Sequence, residues 1–237
     1  MNNLQKGVLD KVEHFLSKQK YTYEVIVVDD GSDDGSLEFL EKFVKEEKNF
    51  RIVKSPHKGK AGAVTAGMLS AKGQLVLFTD LDQATPIEEL NKLLPFAQKF
   101  DIVIGSRNSQ RKGAPWTRLL MAKGMILLRS VIVGLRGIDD TQCGFKLFKN
   151  NVSDVLFSKL EKFHHGYNKI SGSSVKAGFD VELLFIARQM KYKIKEVPVE
   201  WLYVESRRVS PVKDSIEAVE DLVRIKLNSV SGKYKNL

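Results

Sequence analysis

Two short apolar runs in this chain end in paired acids. Glu24-Val-Ile-Val-Val-Asp-Asp-Gly-Ser32 closes on Asp29 and Asp30, and Leu75-Val-Leu-Phe-Thr-Asp-Leu-Asp82 closes on Asp80 and Asp82. Each run is too short for a helix and reads as a buried strand. In an open α/β sheet, ligands bind outside the carboxyl ends of the strands, so both acidic pairs are expected on one rim. Asp80 and Asp82 alternate across Leu81. Their oxygens suit a hard divalent cation, Mg²⁺ or Mn²⁺, which keeps coordination places open for phosphates. The same two acids would also serve as a helix cap or as lysine partners. For Asp30 the structural alternative is an Asx-type turn after a strand, which Gly31, Ser32 and Gly35 permit.

Other polar residues have phosphate chemistry within reach. Lys58, Gly59 and Lys60 could cradle a nucleotide, but Ala61 stands where a P-loop needs Ser or Thr. Arg107, Arg118, Arg207 and Arg208 offer planar, bidentate donors to phosphate, and each could equally be a surface arginine. His14, His57, His164 and His165 lack metal-ligand spacing, and Cys143 suits packing as a small hydrophobe. A phosphatase built on Asp-x-Asp needs a hydroxyl or Val where Ala84 stands. No Gly-x-Gly-x-x-Gly opens a helix, which argues against a dinucleotide dehydrogenase.

The elements that must carry these residues alternate. Leu4, Val8, Leu9, Val12, Phe15 and Leu16 recur at helical spacing. Strands are expected at Glu24 to Val28, Arg51 to Lys54, Leu75 to Thr79 and Asp101 to Gly105. Helices are expected at Ser36 to about Glu47, Ala61 to Ala71 and Pro86 to about Gln98. This alternation implies a parallel sheet with helices on both faces. Beyond Gly105 the pattern becomes a long helical section, Pro115 to Arg136, and then a strand at Gly144 to Phe148. The stretch from Phe163 to Lys176 reads as an exposed loop. A helix at Phe179 to Met190, a strand at Lys193 to Val199 and a closing helix at Lys213 to Leu227 complete the chain. The reading is one domain over residues 1–237, with a nucleotide-binding part to about 106 and an acceptor-binding part after it.

Composition sets the outer bounds. The chain has 237 residues, 43% hydrophobic and 28% charged, with a formal net charge of +9 and one cysteine. A sequence pI near 9.4 favours anionic partners: phosphorylated ligands, nucleic acid or an acidic membrane surface. No nucleic-acid module or basic–aromatic interleaving appears, so nucleic acid is not expected. The single cysteine excludes an internal disulfide and suits a reducing compartment. The most lipid-like stretch, Trp116 to Leu135, is interrupted by Arg118, Lys123 and Arg129, which a bilayer span tolerates poorly. Its Leu119, Leu120, Ile126, Leu127, Val131 and Ile132 would suit a membrane-facing surface or core packing equally.

Taken in order, Val27-Val-Asp-Asp-Gly-Ser32, Lys58-Gly-Lys60, Asp80-Leu-Asp82 and Gly105-Ser-Arg107 resemble the family 2 glycosyltransferases of GT-A (Rossmann-like) fold. Asp140-Thr-Gln-Cys-Gly-Phe-Lys146 and Phe179-Asp-Val-Glu-Leu183 bring the resemblance to the dolichyl-phosphate glucose and mannose synthase branch, nearer the glucose synthases. It implies an inverting enzyme that moves a hexose, glucose, from a UDP-sugar to a polyprenyl phosphate at the cytoplasmic face of a membrane. It further implies Asp82, with Asp80, for the metal-bound diphosphate. Asp30, Gly31, Ser32, Lys60 and Arg208 would hold the nucleotide-sugar, and Arg107 and Arg118 the acceptor phosphate. Asp140, Gln142, Asp180 and Glu182 would grip sugar hydroxyls or orient the basic groups. The nucleophile, a phosphate oxygen, is already ionised, so no general base is required.

Three departures accompany the resemblance. Relatives begin with one further strand, so the sheet is expected to lack its first strand, and a non-catalytic or truncated inactive homologue is the alternative reading. Ala84 and Ala122 replace polar residues that assist the metal and the acceptor phosphate in mannose synthases. The loop from Phe163 to Lys176 has no obvious counterpart.

Overall fold

Strand–helix alternation holds along most of the chain. In the computed structural model, residues 1–107, 116–164, 167, 178–202 and 211–234 are described, with residues 2, 116–122 and 211–214 described by backbone alone. The leading amphipathic stretch folds as α1 (Asn2–Gln5) and α2 (Val8–Leu16). They are divided at Gly7, whose φ of 67° suits a residue without a Cβ. β1 (Val25–Asp29), α3 (Ser36–Glu46), β2 (Phe50–Lys54), α4 (Gly59–Ser70) and β3 (Leu75–Thr79) follow close to their expected bounds.

The helix expected from Pro86 is instead a chain of short turns. A 3-10 turn at Ile87–Glu89 leads into α5 (Leu90–Leu93) and a second 3-10 turn at Leu94–Phe96. Pro95 has no N–H to continue an α-helical ladder, which explains the break. β4 (Ile102–Ser106), α6 (Trp116–Ile132) and β5 (Phe145–Lys149) come next. α7 (Asn150–Phe163) has no counterpart among the expected elements, although Val152, Leu156 and Leu160 recur four apart and are buried. α8 (Gly178–Gln189), β6 (Ile194–Pro198) and α9 (Pro211–Val230) complete the described chain. Most of the expected 163–176 loop, with His165, lies outside the described residues.

The α/β class holds, but the expected mostly parallel sheet is mixed. Four strands run in the order β3-β5-β4-β6, while β1 and β2 form a separate parallel pair. β4 and β6 are parallel, whereas β5 is antiparallel to both β3 and β4. The chain enters β5 from the rim where β3 and β4 end, so β5 runs back between them and needs no crossover. α4 packs on both β1 and β3 and so joins the two sheets.

β4 is buried along its whole length, and its residues alternate between two cores. Ile102 and Ile104 join Phe148, Leu156, Leu160, Leu183 and Leu184 on one face. Val103 joins Leu93, Phe145, Leu147 and Val197 on the other. A strand covered on both faces needs apolar residues at every position, which is why this segment reads as a continuous hydrophobic run. A third cluster holds α2, α3, β1 and β2 together through Leu9, Val12, Val27, Leu40 and Phe50.

Candidate active site

The carboxyl ends of β3 and β4 and the start of β5 share one rim, because the antiparallel register sets Thr79 opposite Phe145 and Ile104 opposite Lys146, and the start of α4 ties the end of β1 to it through Asp30 and Lys60. The strand reversal therefore brings the segment Asp140 to Gly144 beside Asp80 and Arg107. Parallel strands alone would not do this.

At the end of β1 the two acids divide. Asp29, 5% exposed, closes the Asx-type turn by accepting the N–H groups of Gly31 at 3.2 Å and Ser32 at 3.4 Å on Oδ2. Its Oδ1 is buried without a hydrogen-bond partner among the described residues. Asp30 is engaged by the start of α4. Its carboxylate accepts the N–H of Lys58 at 2.9 Å and of Gly59 at 2.7 Å, with His57 Nδ1 3.2 Å away. These are orphan donors of a helix N-terminus, where a carboxylate is favoured. Asp30 is expected to hold the nucleotide-sugar, and beside it Asp29 Oδ1 offers a second, unoccupied carboxylate acceptor among the described residues.

Lys58–Lys60 bridges the two acidic pairs. Lys60 Nζ sits 2.8 Å from Asp80 Oδ1. Burial works against the Lys60 ammonium, but Asp80, Asp180 and Asp82 outweigh it and raise the pKa above the ordinary lysine value. Asp82 Oδ1 accepts the N–H of Ala84 at 3.0 Å in a tight turn where Gln83 adopts a φ of 48°. Such a φ is uncommon for a residue with a Cβ, and Gln83 Nε2 steadies it by donating to Thr79 Oγ1 and the Asp80 carbonyl. Asp80 also lies against Gly144, where a Cβ would overlap its carboxylate.

Among the described residues no group of three or more His, Cys, Asp and Glu side chains converges as a metal cage. Asp80 and Asp82 fit a different arrangement, in which one or two carboxylates and substrate phosphates share a Mg²⁺ or Mn²⁺.

Arg107 and Asp140 form the second half of the rim. Asp140 accepts Arg107 Nε at 2.7 Å, Nη2 at 2.8 Å and the backbone N–H at 3.0 Å, together with the N–H of Gln142 at 3.2 Å. Burial alone would raise the Asp140 pKa, but the Arg107 guanidinium holds it below the usual aspartate value. Four accepted bonds leave Asp140 orienting Arg107 rather than gripping a sugar. Arg107 also lies over the Trp201 ring at 5.9 Å. The Gln142 side chain is exposed on the rim.

Asp180, at the start of α8, accepts Lys146 Nζ at 2.5 Å. Lys146 is fully buried, donates also to the Cys143 carbonyl at 2.7 Å and lies over the Phe78 ring at 5.0 Å. The sequence reading gave it no role. Its signal was a charge between Phe145 and Leu147 in a strand whose other inner residues are apolar, where lysine is almost never buried unless paired. Glu182 is a correction. It turns away to His164, 2.8 Å from its Oε2, and to Tyr234 Oη at 2.5 Å, tying α7 and the chain after α9 to α8. Positions 180 and 182 lie on opposite sides of a helix, so they cannot share one site. His164 is thereby a structural partner. The Arg118 side chain, Ala122 and the segment with Arg207 and Arg208 lie outside what is described.

Comparisons with known proteins agree with this geometry. The family model described as glycosyl transferase family 2 matches residues 2–157. A dolichyl-phosphate beta-glucosyltransferase of Dictyostelium discoideum is 30% identical over 248 residues, covering 97% of this chain and 72% of the relative. Its namesake in Homo sapiens is 31% identical over 247 residues, covering 96% and 72%. One from Trichomonas vaginalis is 34% identical over 235 residues, covering 92% and 67%. Among solved structures, mannosyl-3-phosphoglycerate synthase from Rubrobacter xylanophilus aligns with a TM-score of 0.57 at 15% identity, over 96% of this chain and 69% of that one, a likeness of fold. Because the family model spans well over half of the sequence and these relatives align along nearly all of it, this chain belongs to glycosyl transferase family 2.

Proposed function

We propose that this glycosyltransferase moves glucose from UDP-glucose to a polyprenyl phosphate, inverting the anomeric carbon. The observation that carries the reading is the division of one rim into two halves. Lys60, Asp80 and Asp82 can receive a diphosphate, and Asp140 holds the Arg107 guanidinium as an oriented fork at the end of β4. Similarity to dolichyl-phosphate beta-glucosyltransferases over nearly the whole chain supports the choice of sugar and acceptor.

In this reading Asp29 Oδ1 accepts the base N–H, because a buried carboxylate oxygen without a donor calls for one. Asp82 and Asp80 would hold Mg²⁺ or Mn²⁺, which would supply positive charge to the diphosphate leaving group. Arg107 orients the acceptor phosphate, and the family resemblance adds Arg118 to that task and Arg208 to holding the donor. A phosphate oxygen forms the new bond to the anomeric carbon as the bond to the diphosphate oxygen breaks, and UDP leaves. The acceptor is already an anion, so no side chain takes a proton. Alignment and charge neutralisation carry the rate. Asp180, fixed by Lys146 and close to Lys60, is suited to a sugar hydroxyl.

The acceptor's chain implies a peripheral seat at the cytoplasmic face of a membrane. Among the described residues no helix is long and apolar enough to cross one. α6 and α9 touch, and they expose Leu127 and Val131 on one and Ile216, Leu227 and Val230 on the other. Paired helices of this kind suit the lipid boundary.

The test is transfer of labelled glucose from UDP-glucose to a short polyprenyl phosphate with and without Mg²⁺. Formation of a β-linked lipid-phosphate glucose that ceases with chelator is the expected result. Tight UDP-glucose binding with no transfer would replace this reading with a non-catalytic one.

A further inference from the structure

Among the described side chains of α6, Arg129 is a charge that does not face solvent. Arg129 is 9% exposed, whereas Leu127 and Val131, two positions either side, are 65% and 70% exposed. Two residues along a helix are a rotation of about 200°, so the greasy side and the guanidinium point opposite ways. Inside, Arg129 Nη1 donates to Thr141 Oγ1 at 3.1 Å, and Nη2 donates to the carbonyls of Ile138 at 2.8 Å and Asp139 at 3.0 Å. These three acceptors belong to the loop that carries Asp140. From the other side, Glu196 on β6 accepts the N–H of Asp139 at 2.7 Å and of Asp140 at 2.8 Å. The loop is gripped between a cation on α6 and an anion on β6, and from that grip Asp140 holds the Arg107 fork.

We infer that Arg129 is a positioning residue for the acceptor phosphate, acting through the 138–141 loop on Asp140 and Arg107. The inference rests on the polyprenyl-phosphate reading above. A guanidinium is costly to bury, and a position needed only for packing would be filled by Leu or Met. Arginine also brings a planar fork that reaches three acceptors at once, which lysine's single ammonium does not reproduce. Because the same helix presents Leu127 and Val131 outward, its seat and the acceptor-binding arginine form one rigid connection: α6, Arg129, loop, Asp140, Arg107. Among the described residues, no hydrogen bond or ion pair joins Arg129, Asp140 or Arg107 to Lys60, Asp80 or Asp82, so the donor half of the rim is expected to respond less.

The experiment compares wild type, R129M and R129K by initial rates, varying UDP-glucose and a short polyprenyl phosphate separately, with thermal unfolding alongside. R129M is expected to raise the acceptor KM by about tenfold while the donor KM stays within about twofold. R129K, keeping the charge but not the fork, is expected to lie between, with the acceptor KM raised about threefold. Equal rises in both KM values, or an unchanged acceptor KM in whichever variant folds, would overturn the inference and leave Arg129 a structural residue. If R129M does not fold, R129K decides on the same criteria. A wild type that transfers no sugar sinks the functional reading and this one with it. An active wild type with an unmoved acceptor KM in the variants sinks this one alone.

Discussion

Asp80 has a backbone neighbour where most strands would offer a side chain. A methyl group on Gly144 would overlap its carboxylate, which is also held by Lys60. Gly144→Ala should therefore displace Asp80 while sparing the buried core. Misplacement of a reacting group by an ångström is worth about a hundredfold in rate, so kcat should fall by roughly that factor with the melting temperature nearly unchanged. Steady-state kinetics with thermal unfolding on the same sample check it. Asp29 and Asp30 separate in a similar way. Asp30 caps α4, and replacing a helix N-terminal acceptor by Ala costs about 1 kcal/mol, so Asp30→Ala should act mainly on stability. Asp29→Asn turns an acceptor facing the base into a mixed amide and should weaken UDP-glucose binding by about tenfold, or about 1.4 kcal/mol. Calorimetric titration against denaturant unfolding distinguishes the two. Equal losses of affinity would return the base to Asp30.

α6 and α9 are the elements with unfinished business at the surface. Their exposed Leu127, Val131, Leu227 and Val230 lie on helices that already touch each other, and the inward side of α9 supplies Leu222 and Ile225 to the core. A triple change of Leu127, Val131 and Leu227 to Ser should leave folding stability within about 0.5 kcal/mol per site, because the groups are already in water. It should nonetheless lower retention on vesicles of anionic phospholipid several-fold, as seen by co-sedimentation. Unchanged co-sedimentation would remove the lipid boundary from the proposal. β5 makes a complementary point about elements. It is the antiparallel strand whose beginning, not its end, faces the rim, and it carries Lys146 between the two cores to meet Asp180.

Across the whole molecule, buried acids tie distant segments together, and this gives the fold a direction in pH. Asp140 and Glu182 are both buried, and both have pKa values held below the usual range, by Arg107 in one case and by His164 and Tyr234 in the other. A carboxylate whose folded pKa is depressed contributes stability that is fully present above its unfolded value, about 4, and lost as pH falls through the folded value. The unfolded chain takes up the proton first, so acid favours unfolding. The melting temperature should thus be steady above about pH 5 and drop below pH 4, with a shallower drop in Asp140→Asn. A variant with the wild-type slope would show that the Arg107 pair does not couple to folding. The net charge of +9 adds self-repulsion in the same acidic window.

Much of this was legible in the chain itself. Apolar runs closing on Asp29-Asp30 and Asp80-Leu-Asp82 fixed the strands and the rim, because strand length and side-chain period are local properties that hydrophobic pattern records directly. Asp140 and Arg107 entered through the family resemblance, Asp140 as a group that grips sugar hydroxyls or orients basic side chains, and the contacts across the rim favour the second task. What local pattern could not supply was direction and partner. Whether β5 runs with or against its neighbours, whether Glu182 faces the site or His164, and whether Arg129 interrupts a lipid face or grips the Asp140 loop all depend on which groups meet across the fold. A charge in a hydrophobic run is written identically for an exposed interruption and a buried anchor. Only the tertiary arrangement of donors and acceptors decides, because burying an ion is tolerable only where its partners already stand.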